Sequence, residues 1–377
     1  CEFNKFGTLL AVGCHDGKVV IWDFDVLGVA RVLVGHVRPI TSVQWSNNGK
    51  KILTSSADWS VIVWDVLSGQ VLKKFLFDSP ILSASFHPAG EVALVSPYME
   101  YAKLLNLNTG ERQDIPVVPQ EITPETSKKE AKEILETKCS VNIVASTFDT
   151  TGELIFTGNG NGIIAIFEFP SVKFVRSKKV QGGGQIKSIW FSPTGNYFLV
   201  NCDKTLKLVD SKTLNYIREF MDPIFHPHWK TATFSNDEEY IIGGSAMKPL
   251  HNIYVWDRGG YLETTLEGPP EGVLCLRWHP KKPVVASCST AGAVYIWTVK
   301  QTENWSAFAP EFTELEENQP YIEREDEFDV EEEGSEANKA QEDYDEPLES
   351  EEEETDKDEL RYLPPAISPA MEKIGAL

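Results

Sequence analysis

Val61-Ile62-Val63-Trp64-Asp65 is an apolar, mostly β-branched run that ends in Trp-Asp and directly follows the turn Ala57-Asp58-Trp59-Ser60. A Gly-His pair, Gly35-His36, lies upstream of it. Such a run is typical of a buried strand. A small sheet that is apolar on both faces cannot bury both of them alone, so it is stable only between similar sheets. The stretch therefore predicts that the same unit recurs along the chain.

Seven units share one order of features: an aromatic residue, a polar turn, an apolar strand, a second turn and a closing strand. The equivalent closing positions are 22, 64, 105, 167, 209, 256 and 297, at intervals of 42, 41, 62, 42, 47 and 41 residues. A period of about 40 to 45 residues with four short strands is the signature of the WD40 β-propeller. Two β-sandwich domains would not reproduce so regular a Trp-Asp register. We expect an all-β, seven-bladed WD40 propeller over residues 1–300.

The charge of the chain is concentrated in one segment. Between Glu311 and Glu359 there are 25 of the 57 acidic residues, opposed by three basic ones. The rest of the chain carries 32 acidic and 32 basic residues, so the formal net charge of −22 comes from this segment. The first part of this segment contains more aromatic residues than disorder alone predicts. We expect a partner-binding segment at 301–333 and a largely disordered, acidic low-complexity tail at 334–377.

Two irregularities interrupt the repeat. The long third interval predicts an insertion at about 109–138, whose latter part, 124–136, is rich in Glu and Lys and has helical character. The first unit begins at the end of what should be its innermost strand. We therefore expect the N-terminal strands of the first blade to be missing and the seam of the ring to be short of strands.

No pattern in the sequence indicates an enzyme. There is no nucleophile elbow, phosphate loop or metal-binding triad, and the six cysteines lack the paired spacing of a zinc site. The run Gly158–Gly162 lacks the helix that a nucleotide loop needs, so turn glycines are the better interpretation. His226 and His228 flank Pro227 without a nearby third ligand, which favours a surface loop. We expect no cofactor, no metal and no membrane span, since no apolar run approaches about 20 residues.

One polar network and one basic cluster are predicted within the repeats. In WD40 repeats the upstream histidine bonds to the aspartate of the turn, which here implies a structural tetrad of His36, Asp58, Ser56 and Trp64. Basic residues gather before and within the fifth unit. They are candidates for contact with nucleosomal DNA, with solvated loops as the alternative. The candidates are Arg176, Lys178, Lys179, Lys187 and Lys230.

The chain resembles the WD40 propeller subunits of COMPASS-type histone H3 lysine-4 methyltransferase complexes, the family of retinoblastoma-binding protein five and its fungal Swd equivalents. The resemblance covers nearly the whole chain, and its tail motifs are more specific than the repeats. The matching stretches include Phe-Gly-Thr-Leu-Leu-Ala-Val-Gly at 6–13, Trp-Asp-Val-Leu-Ser-Gly at 64–69, Glu-Asn-Trp-Ser-Ala-Phe-Ala-Pro-Glu-Phe at 303–312 and Glu-Arg-Glu-Asp-Glu-Phe-Asp at 323–329.

The resemblance implies a non-catalytic, nuclear scaffold and activating subunit. Its tail is expected to bridge a catalytic SET domain and the SPRY domain of an Ash2-like subunit. A second WD40 propeller and the nucleosome are further implied partners, although the family motif for that second propeller has no clear match between 334 and 359. The implied SET contacts are Trp305, Phe308, Phe312 and Glu314. The implied SPRY contacts are Tyr321, Glu323, Arg324, Glu325, Phe328 and Asp329.

Three other functions compete with this interpretation. A WD40 adaptor, such as a ubiquitin-ligase substrate receptor, would use the propeller face and need no tail. A propeller enzyme would need acids and histidines facing its channel. An acidic histone chaperone would use the charge of the tail without order, so its aromatic residues would matter little.

Overall fold

A computed structural model describes residues 1–122, 143–182, 184–202, 204–222, 228–245 and 250–299. Within these ranges the chain forms 27 strands and no helix. The strands are grouped in seven antiparallel sheets, each built from strands that are consecutive in sequence. Each sheet is one blade of a ring, so the prediction of a seven-bladed β-propeller is confirmed.

The first four blades each contain four strands. The first has β1 (Glu2–Phe3), β2 (Leu9–Gly13), β3 (Lys18–Asp23) and β4 (Gly28–Val34). The second has β5 (Ile40–Trp45), β6 (Lys51–Ser56), β7 (Ser60–Asp65) and β8 (Val71–Leu76). The third has β9 (Ile81–Phe86), β10 (Val92–Pro97), β11 (Lys103–Asn106) and β12 (Arg112–Asp114). The fourth has β13 (Ile143–Phe148), β14 (Leu154–Asn159), β15 (Ile163–Glu168) and β16 (Lys173–Lys179).

The last three blades follow the same order, and the seventh has three described strands. The fifth has β17 (Ser188–Phe191), β18 (Tyr197–Asn201), β19 (Leu206–Asp210) and β20 (Tyr216–Phe220). The sixth has β21 (Trp229–Phe234), β22 (Tyr240–Ser245), β23 (Asn252–Asp257) and β24 (Leu262–Glu267). The seventh has β25 (Val273–Trp278), β26 (Val284–Ser289) and β27 (Val294–Thr298).

The core lies between the blades. In the second blade, β6 and β7 are almost wholly buried whereas the outer strand β8 is largely exposed. Both faces of these two strands are therefore buried, which explains why β7 contains a continuous apolar run in the sequence. Seven apolar clusters fill the seven junctions between neighbouring blades. Each large aliphatic side chain buried there contributes about 1.5–3 kcal/mol.

The ring closes between the seventh and first blades. Phe3 and Leu10 of the first blade share a cluster with Ala286 of the seventh. The Arg277 guanidinium lies 2.6 Å from a Glu2 carboxylate oxygen, and its centre is 3.9 Å from the ring of Trp190. His279 Nε2 lies 3.1 Å from the carbonyl oxygen of Gly7. Contacts between residues more than 270 positions apart therefore join the two ends of the repeat array.

The two irregularities are placed differently from the sequence expectation. The first blade has all four strands, although β1 contains only two residues, and the described part of the seventh blade has three. Residues 112–114 are the outer strand of the third blade, and Ile115 and Val117 are buried against the fourth. Residues 109–122 thus belong to the blade structure, and 123–138 lie outside the described residues.

The strand directions define two ends of the propeller. The turn Ala57–Trp59 and the loop 35–39 lie at one end, here called the upper end, because Ser56 pairs with Ile40 and Ser60 pairs with Leu76. The turns at 46–50 and 66–70 lie at the opposite, lower end. Equivalent turns and loops of every blade lie at the same ends, since all blades have the same strand order.

Candidate functional site

A hydrogen-bonded network crosses the second blade from its upper loop to its third strand. His36 Nδ1 donates to Asp58 Oδ2 at 2.9 Å. Thr54 Oγ1 bonds to His36 Nε2 at 2.8 Å and accepts from Trp64 Nε1, also at 2.8 Å. His36, Thr54 and Trp64 are buried, so each bond satisfies a group that is removed from water. The network fixes the loop, the turn and the strand relative to one another.

Ser56 does not occupy the place in this network that the sequence expectation assigned to it. Its single hydroxyl hydrogen is shared between the carbonyl oxygens of Arg38 and Pro39, both 3.0 Å away, and its oxygen accepts from Asp58 N at 3.1 Å. Thr54 and Ser56 are two residues apart in β6 and share one face of the strand. Thr54 lies opposite Ile62, deeper in the sheet than Ser56. Its hydroxyl is therefore the one within reach of the Trp64 indole.

The charges of this network are set by burial and by hydrogen bonds. Burial lowers the pKa of His36 below 6.5, although the bond to Asp58 acts in the opposite direction. Burial alone would raise the pKa of Asp58, but hydrogen bonds from Ser60, His36 and Val37 outweigh it and lower the pKa from 3.8 to about 2. At neutral pH a neutral imidazole therefore donates to an ionised carboxylate.

The predicted basic cluster divides into two groups. Arg176 donates to the Ser211 carbonyl oxygen at 3.1 Å, and Lys178 Nζ donates to Asn215 Oδ1 at 2.9 Å. Both side chains thus join β16 to the turn between β19 and β20 of the next blade. Lys179, Lys187 and Lys230 are exposed at the upper end of the fourth, fifth and sixth blades.

Lys187 and Lys230 occupy equivalent places on adjacent innermost strands. Lys187 immediately precedes Ser188, which pairs with Asn201, and Lys230 immediately precedes Thr231, which pairs with Gly244. The structure thus brings two of the five predicted lysines and arginines to the same position of neighbouring blades.

The comparisons with known proteins agree on one family. The model of the WD domain, G-beta repeat, matches residues 1–23, 28–65, 174–210 and 260–298. The Set1 complex component swd1 of Schizosaccharomyces pombe is 35% identical, over 88% of this chain and 83% of that protein. The Retinoblastoma-binding protein 5 homolog of Drosophila melanogaster is 39% identical, over 88% of this chain and 66% of that protein. The chain belongs to the Swd1 and retinoblastoma-binding protein 5 family.

A solved structure of the Swd1 family has the same fold. The Cps50 (Swd1) β-propeller domain of Myceliophteria thermophila superposes with a TM-score of 0.71 at 29% identity, covering 79% of this chain and 95% of that one. The chain spans about two thirds of the length of its Dictyostelium, plant and insect relatives, with 65%, 67% and 66% of each covered.

The tail residues that the sequence assigns to partners all lie outside the described residues. They are Trp305, Phe308, Phe312 and Glu314 for the SET domain, and Tyr321, Glu323, Arg324, Glu325, Phe328 and Asp329 for the SPRY domain. In the described part of this Swd1-family chain, no helix has the length and apolarity that crossing a bilayer requires. Among the same residues, no group of three or more His, Cys, Asp or Glu side chains is arranged to hold a metal ion.

The seventh blade builds a similar network from a different loop. His251, which precedes β23 of the sixth blade, stacks on Trp297 with ring centroids 6.0 Å apart. Ser287 Oγ lies 2.9 Å from His251 Nε2 and accepts from Trp297 Nε1 at 2.8 Å. Sequence reasoning missed this histidine because it does not come from the loop that supplies His36, and no fixed spacing relates it to Trp297.

Replacing Thr54 with valine tests the network of the second blade. Thr54→Val keeps the shape but leaves His36 Nε2 and Trp64 Nε1 without a partner, so we expect a loss of about 2–4 kcal/mol in the free energy of unfolding. Thr157 is the equivalent residue of the fourth blade, and its one side-chain hydrogen bond among the described residues goes to the Ala165 carbonyl oxygen, at 3.3 Å. In urea unfolding, Thr157→Val should cost under about 1 kcal/mol, and equal losses for the two variants would contradict the assignment.

The pH dependence of stability tests the charges of the network. Asp58 has a lowered pKa, so its stabilising effect is complete above pH 3.8 and is lost as the pH falls towards about 2. The lowered pKa of His36 changes the stability in the same direction, because the stabilisation from the neutral imidazole is lost as the pH falls below 6.5. In urea unfolding, we expect the stability difference between the wild type and Asp58→Asn to shrink by about 2 kcal/mol between pH 5 and pH 2. A difference that is constant over this range would refute the proposed ionisation of Asp58.

Proposed function

We propose that this chain is a non-catalytic scaffold and activating subunit of a COMPASS-type histone H3 lysine-4 methyltransferase complex, acting in the nucleus. The observation that carries the proposal is its 35% identity to a protein named Set1 complex component swd1, over 83% of that protein. A relative from Saccharomyces cerevisiae, named COMPASS component SWD1, is 30% identical over 80% of its own length. The methyl donor and the catalytic residues belong, in this proposal, to a SET-domain partner.

The tail after the propeller is proposed to bridge two partners. Its first part combines Trp305, Phe308, Phe312 and Glu314, which we assign to the SET domain. Its second part combines Tyr321 and Phe328 with carboxylates, and we assign it to the SPRY domain of an Ash2-like subunit. Aromatic side chains supply most of the binding free energy of such contacts, and charge complementarity directs the encounter. A segment that becomes ordered on binding can thus hold two domains together.

The proposed mechanism is a shift in population and involves no chemistry by this chain. A SET domain that occupies its competent arrangement only part of the time is activated by any ligand that prefers that arrangement. The factor by which the tail can raise the methylation rate is limited by the ratio of its affinities for the two arrangements of the SET domain. A tail fixed to the propeller at one end and to the SPRY domain at the other would bind only the competent arrangement. A second propeller subunit completes the proposed assembly.

The propeller is proposed to approach nucleosomal DNA with its upper end. Lys179, Lys187 and Lys230 are exposed there on three consecutive blades. Phosphate contacts of this kind add affinity without reading the base sequence. Arg176 and Lys178 are better explained by their bonds to the neighbouring blade.

Truncation after residue 300 tests the role of the tail. Reconstituted with a COMPASS-type SET domain and an Ash2-like SPRY domain, a chain of residues 1–300 should lose the stimulation of histone H3 methylation, because both partner contacts are absent. Thermal unfolding checks that the propeller is intact. A truncated chain that stimulates as well as the full one would favour the alternative WD40 adaptor function.

Replacing single aromatic residues distinguishes an ordered clamp from a charged solubilising tail. Phe312→Ala should reduce the stimulation of methylation by about tenfold or more, because a buried aromatic anchor is lost. Tyr362→Ala, an aromatic residue beyond the acidic run, is the matched control and should leave the rate within about twofold of the wild type. Equal rates for wild type and Phe312→Ala would favour the histone-chaperone alternative.

Salt-dependent DNA binding tests the three lysines. Lys187→Ala with Lys230→Ala should weaken nucleosome binding and reduce the slope of log K against log salt by about 2, because two phosphate contacts are removed. Lys51→Ala with Lys212→Ala, which removes two exposed lysines from the lower end, is the matched control. The DNA assignment fails if the two double variants bind alike.

A further inference from the structure

Two cysteines face each other across the seventh blade. Cys275 of β25 and Cys288 of β26 are direct partners in the antiparallel register, and both are free thiols in the structure. Side chains of directly opposite residues in an antiparallel pair lie on the same face of the sheet. The Cα atoms of such a pair are about 4.5–5.5 Å apart, within the range of about 4.4–6.8 Å that a disulfide spans.

The second blade shows how closely side chains approach each other at this position. The equivalent residues there are Ser42 and Ser55, which are also direct partners. In both blades the pair follows a shift of register, and its first member lies three residues before the tryptophan that ends the innermost strand. The hydroxyl oxygens of Ser42 and Ser55 are 2.7 Å apart. The position thus allows two γ-atoms to meet, so the sulfurs of Cys275 and Cys288 can do the same by rotation of their side chains.

The thiol pair lies at the junction that closes the ring. Cys288 packs against the cluster that contains Phe3 and Leu10 of the first blade. The Cys275 thiol donates to the carbonyl oxygen of Cys1 at 3.6 Å. Both members of the pair are partly exposed, so a small oxidant can reach them. A disulfide has no S–H group to donate, and its formation would therefore remove one contact between the seventh and first blades.

The other cysteines differ from this pair. Cys202 is buried in the fifth blade, and burial raises the pKa of its thiol to about 11, which leaves little reactive thiolate at neutral pH. The Cys14 thiol donates to the carbonyl oxygen of Val12 at 4.0 Å. Neither Cys14 nor Cys1 is the strand partner of another cysteine in the described sheets. Cys139 lies outside the described residues.

We propose that Cys275 and Cys288 form a redox-sensitive pair that hydrogen peroxide converts into a reversible disulfide between β25 and β26. One thiolate attacks the peroxide, so the O–O bond breaks, the sulfur becomes a sulfenic acid and hydroxide leaves. The sulfur of the second cysteine then attacks the sulfenic sulfur, so that an S–S bond forms, the S–O bond breaks and water leaves. Two electrons pass from the thiols to the peroxide, and both thiol protons end in water. A dithiol reductant restores the pair, and in a reducing compartment such a disulfide is transient.

Peptide mapping of the full chain tests this proposal. The reduced protein is treated with hydrogen peroxide, blocked with N-ethylmaleimide and digested with trypsin without reductant. Trypsin places the two cysteines in different peptides, 259–277 and 282–300, so a disulfide joins these two peptides. We expect this linked pair to be the main disulfide and dithiothreitol to abolish it. Cys202, in peptide 188–204, is the internal control and should remain reduced.

Single variants assign the roles of the two sulfurs. Cys288→Ser should abolish the linked pair and increase the labelling of Cys275 by dimedone, because no second thiol resolves its sulfenic acid. A serine fits this place in the second blade, and a cooperative thermal transition checks that the ring is intact; Cys288→Ala is a second variant for the same test. Cys14→Ser is the matched control, since Ser56 is its equivalent in the second blade, and it should keep the linked pair at the wild-type yield.

Moving the thiol pair to the second blade tests the geometric argument. Ser42→Cys and Ser55→Cys are introduced together into a chain that also carries Cys275→Ser and Cys288→Ser. Peroxide should now link residues 42 and 55, because the γ-atoms at these positions are already in contact. A chain whose new cysteines stay reduced would contradict the argument from register.

Two results of the peptide mapping would overturn the proposal. The first is a wild-type chain in which peroxide produces no link between 259–277 and 282–300, or in which the main disulfide joins either peptide to Cys1 or Cys14. The second is oxidation of Cys202 as fast as that of the pair, which would mean that unfolding, and not the position of the thiols, exposes them to peroxide.

Discussion

The packing of each blade against its two neighbours is the constraint on which the rest of this structure depends. The second strand of every blade is buried on both faces, so a blade taken alone would expose side chains that the ring buries. Seven apolar clusters at seven junctions remove that surface from water only if the ring is complete. The junction of Phe3 and Leu10 with Ala286 joins residues from opposite ends of the array and is as necessary as the other six.

The polar groups at the junctions must also be satisfied, and the blades do this in different ways. The second blade uses His36, Thr54 and Asp58, whereas the seventh uses His251 from the loop of a neighbouring blade with Ser287. The fourth uses neither, and there Asn159 Nδ2 donates to the Val118 carbonyl oxygen at 2.7 Å. What recurs is the requirement that a buried donor or acceptor find a partner. The residue that meets it varies, which explains why the sequence alone did not identify His251.

A rigid ring and an acidic chain serve different parts of the proposed function. The ring positions exposed groups such as Lys187 and Lys230 on fixed backbone, so contacts made there require little further ordering of the backbone. A charged segment with spaced aromatic residues can reach several domains and is ordered only where it binds. In the proposed complex the ring acts as the platform and the segment after it acts as the activator.

The sequence by itself determined the number of blades and their order, because a period of about 40 residues and the Trp-Asp register depend on local patterns. Its resemblance to the family depended on specific motifs, above all those at 303–312 and 323–329. It also placed the acidic segment and separated it from a neutral body. Only the tertiary structure decided that Thr54, and not Ser56, bonds to Trp64, because both hydroxyls lie on one strand face and their depth in the sheet depends on pairing. It likewise decided that Arg176 and Lys178 bind the next blade while Lys187 and Lys230 remain exposed, since this depends on which residues the neighbouring blade presents. The positive φ of Trp59, 67°, is likewise visible only in three dimensions, because closure of the turn sets this backbone dihedral angle.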